Sequence, residues 1–147
     1  MTPRRFRPRT AFVLAGGASL GAMQVGMWRA LYEQGITADL LVGTSAGALN
    51  AFYVSSRPQT VTTANQLARA WSAIRREDIF PLALRTLFGG MSSRHDRLVP
   101  DHGLRRVVRR HLQLEAIEHA AVPLHLVAFD VLGGSEVLLS RGPRSMR

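Results

Sequence analysis

An α/β fold is the class predicted by this 147-residue sequence, and three observations predict it. A short apolar run near the N-terminus stops at a glycine-rich turn and passes into a helical pattern; the same order recurs from Leu40; and a strand, glycine turn, strand pattern follows Pro123. Sequence periods that switch between strand and helix in this way belong to chains whose helices pack on a sheet. Length and composition agree, since 147 residues with 46% apolar content suffice for one soluble domain with a real core. Cysteine is absent, which excludes disulfides and thiolate zinc sites and fits a reducing, cytoplasmic setting.

Residues 1–9 carry Arg4, Arg5, Arg7 and Arg9 and read as a mobile basic tail. The uncharged stretch from Thr10 to Trp28 superficially resembles an export leader or a short membrane span. Gly16, Gly17, Ser19, Gly21, Gln24 and Gly26 interrupt it, however, and its later half has the period of an amphipathic helix, so neither is expected. Thr10 to Ala15 is predicted as a strand, and Leu20, Met23, Met27 and Leu31 recur at helical spacing until Gly35. Between them stands Gly16-Gly17-Ala18-Ser19-Leu20-Gly21. Such a turn leaves backbone N–H groups unpaired at a helix N-terminus, where they suit a phosphate or the oxyanion of acyl transfer. It does not match a dinucleotide fingerprint, because Ala18 replaces the second glycine, nor a P-loop, because Ala22-Met23 follows Gly21. An oxyanion loop, or a turn that only packs helix on strand, remains.

The second unit is more specific. Leu40-Leu41-Val42 leads into Gly43-Thr44-Ser45-Ala46-Gly47 and then Ala48-Leu49-Asn50-Ala51-Phe52. A strand, a tight turn bearing a hydroxyl and a helix form a nucleophile elbow, which makes Ser45 the candidate nucleophile. Gly43 and Gly47 are required for steric reasons, since side chains there would collide where strand and helix pass, and the helix N-terminus places positive partial charge near the attacking oxygen.

Farther along, Thr63 to Arg76 reads as a helix with Ala64, Leu67, Ala68, Trp71 and Ile74 on one face, Trp71 belonging to the core. Glu77 to Arg97 combines apolar Ile79, Leu82, Leu84, Leu87 and Phe88 with Gly89-Gly90 and Ser92-Ser93; core packing is the favoured reading and a lid over an acyl site the other. Leu124 to Asp130, Gly133-Gly134 and Glu136 to Ser140 give the hairpin. The histidines His95, His102, His111, His119 and His125 show no metal-ligand spacing, so no metal or other cofactor is implied.

Net charge is +9 and every basic residue is arginine. Peripheral contact with an anionic membrane is the functional reading, because guanidinium groups pair well with phosphate. A solvated exterior is the plainer one. It is favoured because Arg105, Arg106, Arg109 and Arg110 alternate with Leu104, Val107, Val108 and Leu112 at amphipathic spacing. Binding of nucleic acid rests on charge alone, with no aromatic interleaving or recognisable module.

Together, Val13 to Ala51, with its glycine loop, Gly26, Leu31, Asp39 and the Gly-Thr-Ser-Ala-Gly-Ala-Leu-Asn-Ala run, resembles the N-terminal half of a patatin-like phospholipase domain. The resemblance implies a three-layer α/β fold with a mainly parallel central sheet. It also implies metal-free hydrolysis of a lipid or fatty-acyl ester, with Ser45 as nucleophile and the backbone of Gly16, Gly17, Ala18 and Ser19 as oxyanion cradle. Two departures stand out. Leu20 occupies a position where many members have arginine, and none of Asp39, Asp78, Asp96, Asp101 and Asp130 is followed by glycine, so the family's Asp-Gly motif for the activating aspartate is missing. The expectation is a truncated domain over residues 10–147 with little turnover of its own, in which Asp130 is a structural strand-end residue. Two alternatives stay open. One is a Ser-Asp-His order through Asp96 or Asp101 and His119 or His125; the other is a non-catalytic fragment that binds membrane or nucleic acid through its arginines.

Overall fold

The computed structural model describes residues 9–74 and 116–141. Residues 1–8 of the basic tail, the apolar segment 77–97, the arginine-rich stretch 104–112 and Asp78, Asp96 and Asp101 lie outside the described residues.

Four strands form one sheet in the order β1-β2-β3-β4. Strand β1 (Ala11–Leu14) runs parallel to β2 (Leu40–Thr44), with Phe12 opposite Leu41 and Leu14 opposite Gly43. Asp39 fastens the start of this pair: its N–H donates to the Thr10 carbonyl at 2.7 Å and its Oδ2 accepts the Thr10 N–H at 2.9 Å. Strand β3 (Leu124–Asp130) lies parallel to β2 on the other side, and β4 (Ser135–Leu139) returns antiparallel to β3. Parallel neighbours require a crossover. Helix α1 (Gly21–Glu33) supplies the first, and α2 (Ala46–Ser55) and α3 (Val61–Ala73) follow β2. The fold is α/β with a mainly parallel sheet, as the sequence predicts.

The three α-helices of the described residues share one core on one face of that sheet. Phe12, Leu14, Leu41, Leu124 and Leu126 project into it and meet Val25, Trp28, Ala51, Val54, Ala64 and Leu67. Among the described residues Trp28 is the largest fully buried side chain, with its ring 6.4 Å from Phe12 at a tilt of 54°. Removing an aromatic from such a position costs about 3–5 kcal/mol. Helix α2 runs through the middle, and the two N–H groups of Ala121 and Val122 donate to its Ser55 carbonyl, steering the chain into β3. On the opposite face of the sheet Val13, Phe129 and Leu138 are exposed. Of the three layers expected, the described residues supply the sheet and one helical layer.

One ridge of α1 differs from the periodic reading. Leu20, Met23 and Met27, the residues that mark the helix in sequence, are exposed, and the buried residues are Gly21, Val25, Trp28 and Tyr32. Both ridges are apolar, so hydrophobic period alone does not choose between them. Packing does, because only the ridge that begins with Gly21 lets the helix approach Ala46 and Trp71; a Cβ on Gly21 would stand 2.8 Å from the Ala46 Cβ. The helix ends in a Schellman turn, with Gly35 at φ 69°, its N–H on the Tyr32 carbonyl at 3.0 Å and the Ile36 N–H on the Leu31 carbonyl at 2.9 Å. Gln59, just before α3, clasps the far end of this unit. Its amide donates to and accepts from the Ala38 backbone, both at 2.8 Å.

Candidate active site

Ser45 sits at the junction of β2 and α2 with φ 51° and ψ −120°, a conformation that an L-residue adopts only under constraint. A serine at a helix N-cap normally accepts a hydrogen bond from the first turn, in an extended backbone conformation. Ser45 makes no such bond. Its side chain is exposed and its hydroxyl is not consumed by capping, while the partial positive charge of the α2 N-terminus lies beside it.

Two close approaches hold this bend. A Cβ on Gly43 would lie 2.6 Å from the Gly47 carbonyl oxygen and 2.7 Å from the Ala48 Cα, and one on Gly47 would run into the Leu14 and Ala15 carbonyls. Every contact is with backbone, which cannot swing aside. Helix α2 therefore crosses the end of β1 only because both positions lack side chains.

The glycine turn lies against the same bend. Ala18–Leu20 form one turn of 3-10 helix, closed by the Leu20 N–H on the Gly17 carbonyl at 2.9 Å and continuous with α1. The leading N–H groups of such a turn have no intrahelical acceptor. A Cβ built on Gly16 would be 3.1 Å from the Ser45 Cβ and 3.7 Å from its Oγ, so the structure brings Gly16 and Ser45 together. Gly16, Gly17, Ala18 and Ser19 are all exposed, and Ala18 holds φ 49°.

The other sequence candidates lie elsewhere. Asp130 Oδ1 accepts the Leu132 N–H at 3.0 Å within the β3–β4 turn. Asp39 is engaged with Thr10. His125 stands opposite Val42, three residues before Ser45 along the sheet, with Nδ1 buried and unpartnered among the described residues; His119 ends a short 3-10 turn. Among the described residues no cluster of three or more His, Asp or Glu could hold a metal ion, and no helix is long and apolar enough to cross a membrane. Sequence reasoning missed Asn50. It is 1% exposed in the elbow helix, and a lone amide within the apolar run Ala48 to Val54 was the available signal.

The glycine turn and the strained serine bend thus stand together at the ends of adjacent parallel strands, a strand–turn–helix arrangement that leaves a hydroxyl on a sharp, exposed bend. Residues 12–140 match the patatin-like phospholipase family, and the chain belongs to that family, which acts on lipid substrates. The neuropathy target esterase sws of Drosophila melanogaster is 46% identical over 61 residues, 41% of this chain. The corresponding proteins of Drosophila erecta and Drosophila yakuba match to the same extent. The matched stretch covers only 4% of the length of these relatives.

Proposed function

We propose that Ser45 is the nucleophile of a lipid acyl hydrolase and that the N–H groups of the Gly16 to Ser19 turn receive the oxyanion. The observation that supports this reading is the close approach of Gly16 to Ser45, where a Cβ on Gly16 would stand 3.7 Å from the Ser45 Oγ, together with the want of intrahelical acceptors for the leading N–H groups of such a turn. Ser45 Oγ bonds to the acyl carbonyl carbon as the carbonyl oxygen takes the negative charge toward the turn; the ester C–O bond then breaks, and the alcohol leaves with the proton given up by Ser45. Water then cleaves the acyl-enzyme. Oriented donors of this kind are each worth about 10²–10³ in rate. The serine proton needs an acceptor, and the Asp-Gly pair that serves in the family does not occur in these 147 residues. The chain on its own is therefore expected to acylate slowly and to turn over little.

Contact with an anionic membrane surface and a cytoplasmic, membrane-peripheral location belong to the same proposal. Net charge +9 and the exposed Leu20, Met23 and Met27, which lead away from the turn, support them. The test of the catalytic reading is ester hydrolysis by the wild-type chain and by Ser45→Ala. Trace release that disappears in Ser45→Ala agrees with the proposal, and equal release from both proteins refutes it. Association with anionic liposomes that weakens as salt is raised checks the surface reading.

A further inference from the structure

We propose that Asn50, acting through Gln24, is a positioning residue that fixes both ends of the glycine turn to the helix carrying Ser45; the inference rests on reading that turn as the oxyanion cradle. The turn leaves β1 at Ala15 and enters α1 at Gly21. Asn50 Nδ2 donates to the Gly21 carbonyl at 2.9 Å and to Gln24 Oε1 at 2.9 Å, and Gln24 Nε2 donates to the Ala15 carbonyl at 2.8 Å. Trp71 of α3 completes the chain, its Nε1–H donating to Asn50 Oδ1 at 2.7 Å.

Donor and acceptor chemistry fixes every orientation in this chain. An indole N–H can only donate, so the Asn50 oxygen must face Trp71 and its NH₂ must face Gly21 and Gln24. Gln24 then has to present its oxygen to Asn50 and its NH₂ to Ala15. No other arrangement satisfies all the partners, and a buried amide left unpaired costs about 1–3 kcal/mol. Asn50 is 1% exposed, so water does not substitute for the bonds that it makes itself, whereas the bond from Gln24 to Ala15 lies at the surface. The two carbonyls that bracket residues 16–20 are thus tied to a side chain five residues after Ser45. The position of the turn amides relative to the hydroxyl depends on that tie. Outer partners of this kind commonly change activity by about 10–100-fold when removed from metal sites, and an oxyanion site makes a comparable demand on geometry.

The test uses the 147-residue chain and four variants, Gln24→Ala, Gln24→Glu, Asn50→Leu and Trp71→Phe. Two measurements are made on each. The first is the backbone amide spectrum and ¹⁵N order parameters of residues 16–21; the second is inactivation of Ser45 by a fluorophosphonate, resolved into its binding constant and its maximal rate constant. Gln24→Ala and Asn50→Leu are expected to lower the order parameters of the turn from about 0.85 toward about 0.6. They should also slow the maximal rate about 10-fold with little change in binding constant. Gln24→Glu keeps the acceptor for Asn50 but loses the donor to Ala15, and should behave like Gln24→Ala. Trp71→Phe leaves both Asn50 donors in place and should stay within about threefold of wild type. If Asn50→Leu does not fold, the half-buried Gln24 variants carry the test. Unchanged turn amides and unchanged rate in both Gln24 variants would overturn the inference. A wild type that resists the reagent, alongside a turn that loosens in the variants, would support the tie and remove the nucleophile reading instead.

Discussion

Ser45 and Ala18 hold positive φ at 51° and 49°, and they are the non-glycine residues that do so among those described. Both lie in the two bends that meet at the candidate site. Backbone held in such regions costs about 1–3 kcal/mol and survives only where surrounding contacts overdetermine it. Replacing Ser45 by glycine relieves that strain but frees the unfolded chain by about 0.4–1 kcal/mol. The net expectation is a gain of about 1 kcal/mol, or about 2–4 °C in Tm, together with loss of fluorophosphonate labelling. Ser45→Ala keeps the Cβ and the strain and should melt close to wild type. Thermal melting of the three proteins checks this; a Ser45→Gly protein less stable than Ser45→Ala would contradict the strain reading.

At the scale of elements, the elbow depends on two backbone crossings. Gly43→Ala and Gly47→Ala each force a Cβ into carbonyl or Cα atoms of the neighbouring segment, and each is expected to cost about 3 kcal/mol by urea unfolding, the upper end for overpacking because backbone atoms cannot swing aside. Gly26, on the exposed side of α1, has nothing within 4 Å of an added Cβ, so Gly26→Ala should stabilise by about 0.5–1 kcal/mol. These units were legible in the sequence because strand period, glycine turn and helix period follow one another directly; the β3–β4 hairpin was legible for the same reason at Gly133-Gly134. Which ridge of α1 faces the core was not, since Met23 and Met27 look as apolar as Val25 and Trp28, and the choice is made by contact with Ala46 and Trp71 far along the chain. The Gln24–Asn50–Trp71 chain was illegible for a related reason. Its members are 26 and 21 residues apart, and an amide in a helix carries no pattern of its own.

At the scale of the whole molecule, α1, the β2 entry and α3 are joined where Tyr32 and Gln59 meet beside Ala38. Burial pushes the Tyr32 phenol above its ordinary value of 10.0. The unfolded chain releases that proton first as pH rises, so the stability contributed below about pH 10 is lost progressively above it. Urea unfolding between about pH 9 and about pH 11 should show that decline, and Tyr32→Phe should flatten it. A Tyr32→Phe protein with an undiminished alkaline slope would show that other groups govern it. The same assembly sets the first glycine turn against the serine elbow, and the most direct measurement of that union is a crystal structure of the chain after reaction with a fluorophosphonate. The account predicts phosphorus bonded to Ser45 Oγ and a phosphonyl oxygen within hydrogen-bond reach of amides in residues 16–19. An adduct whose oxygen points away from that turn, or a Ser45 that stays unmodified, would contradict it.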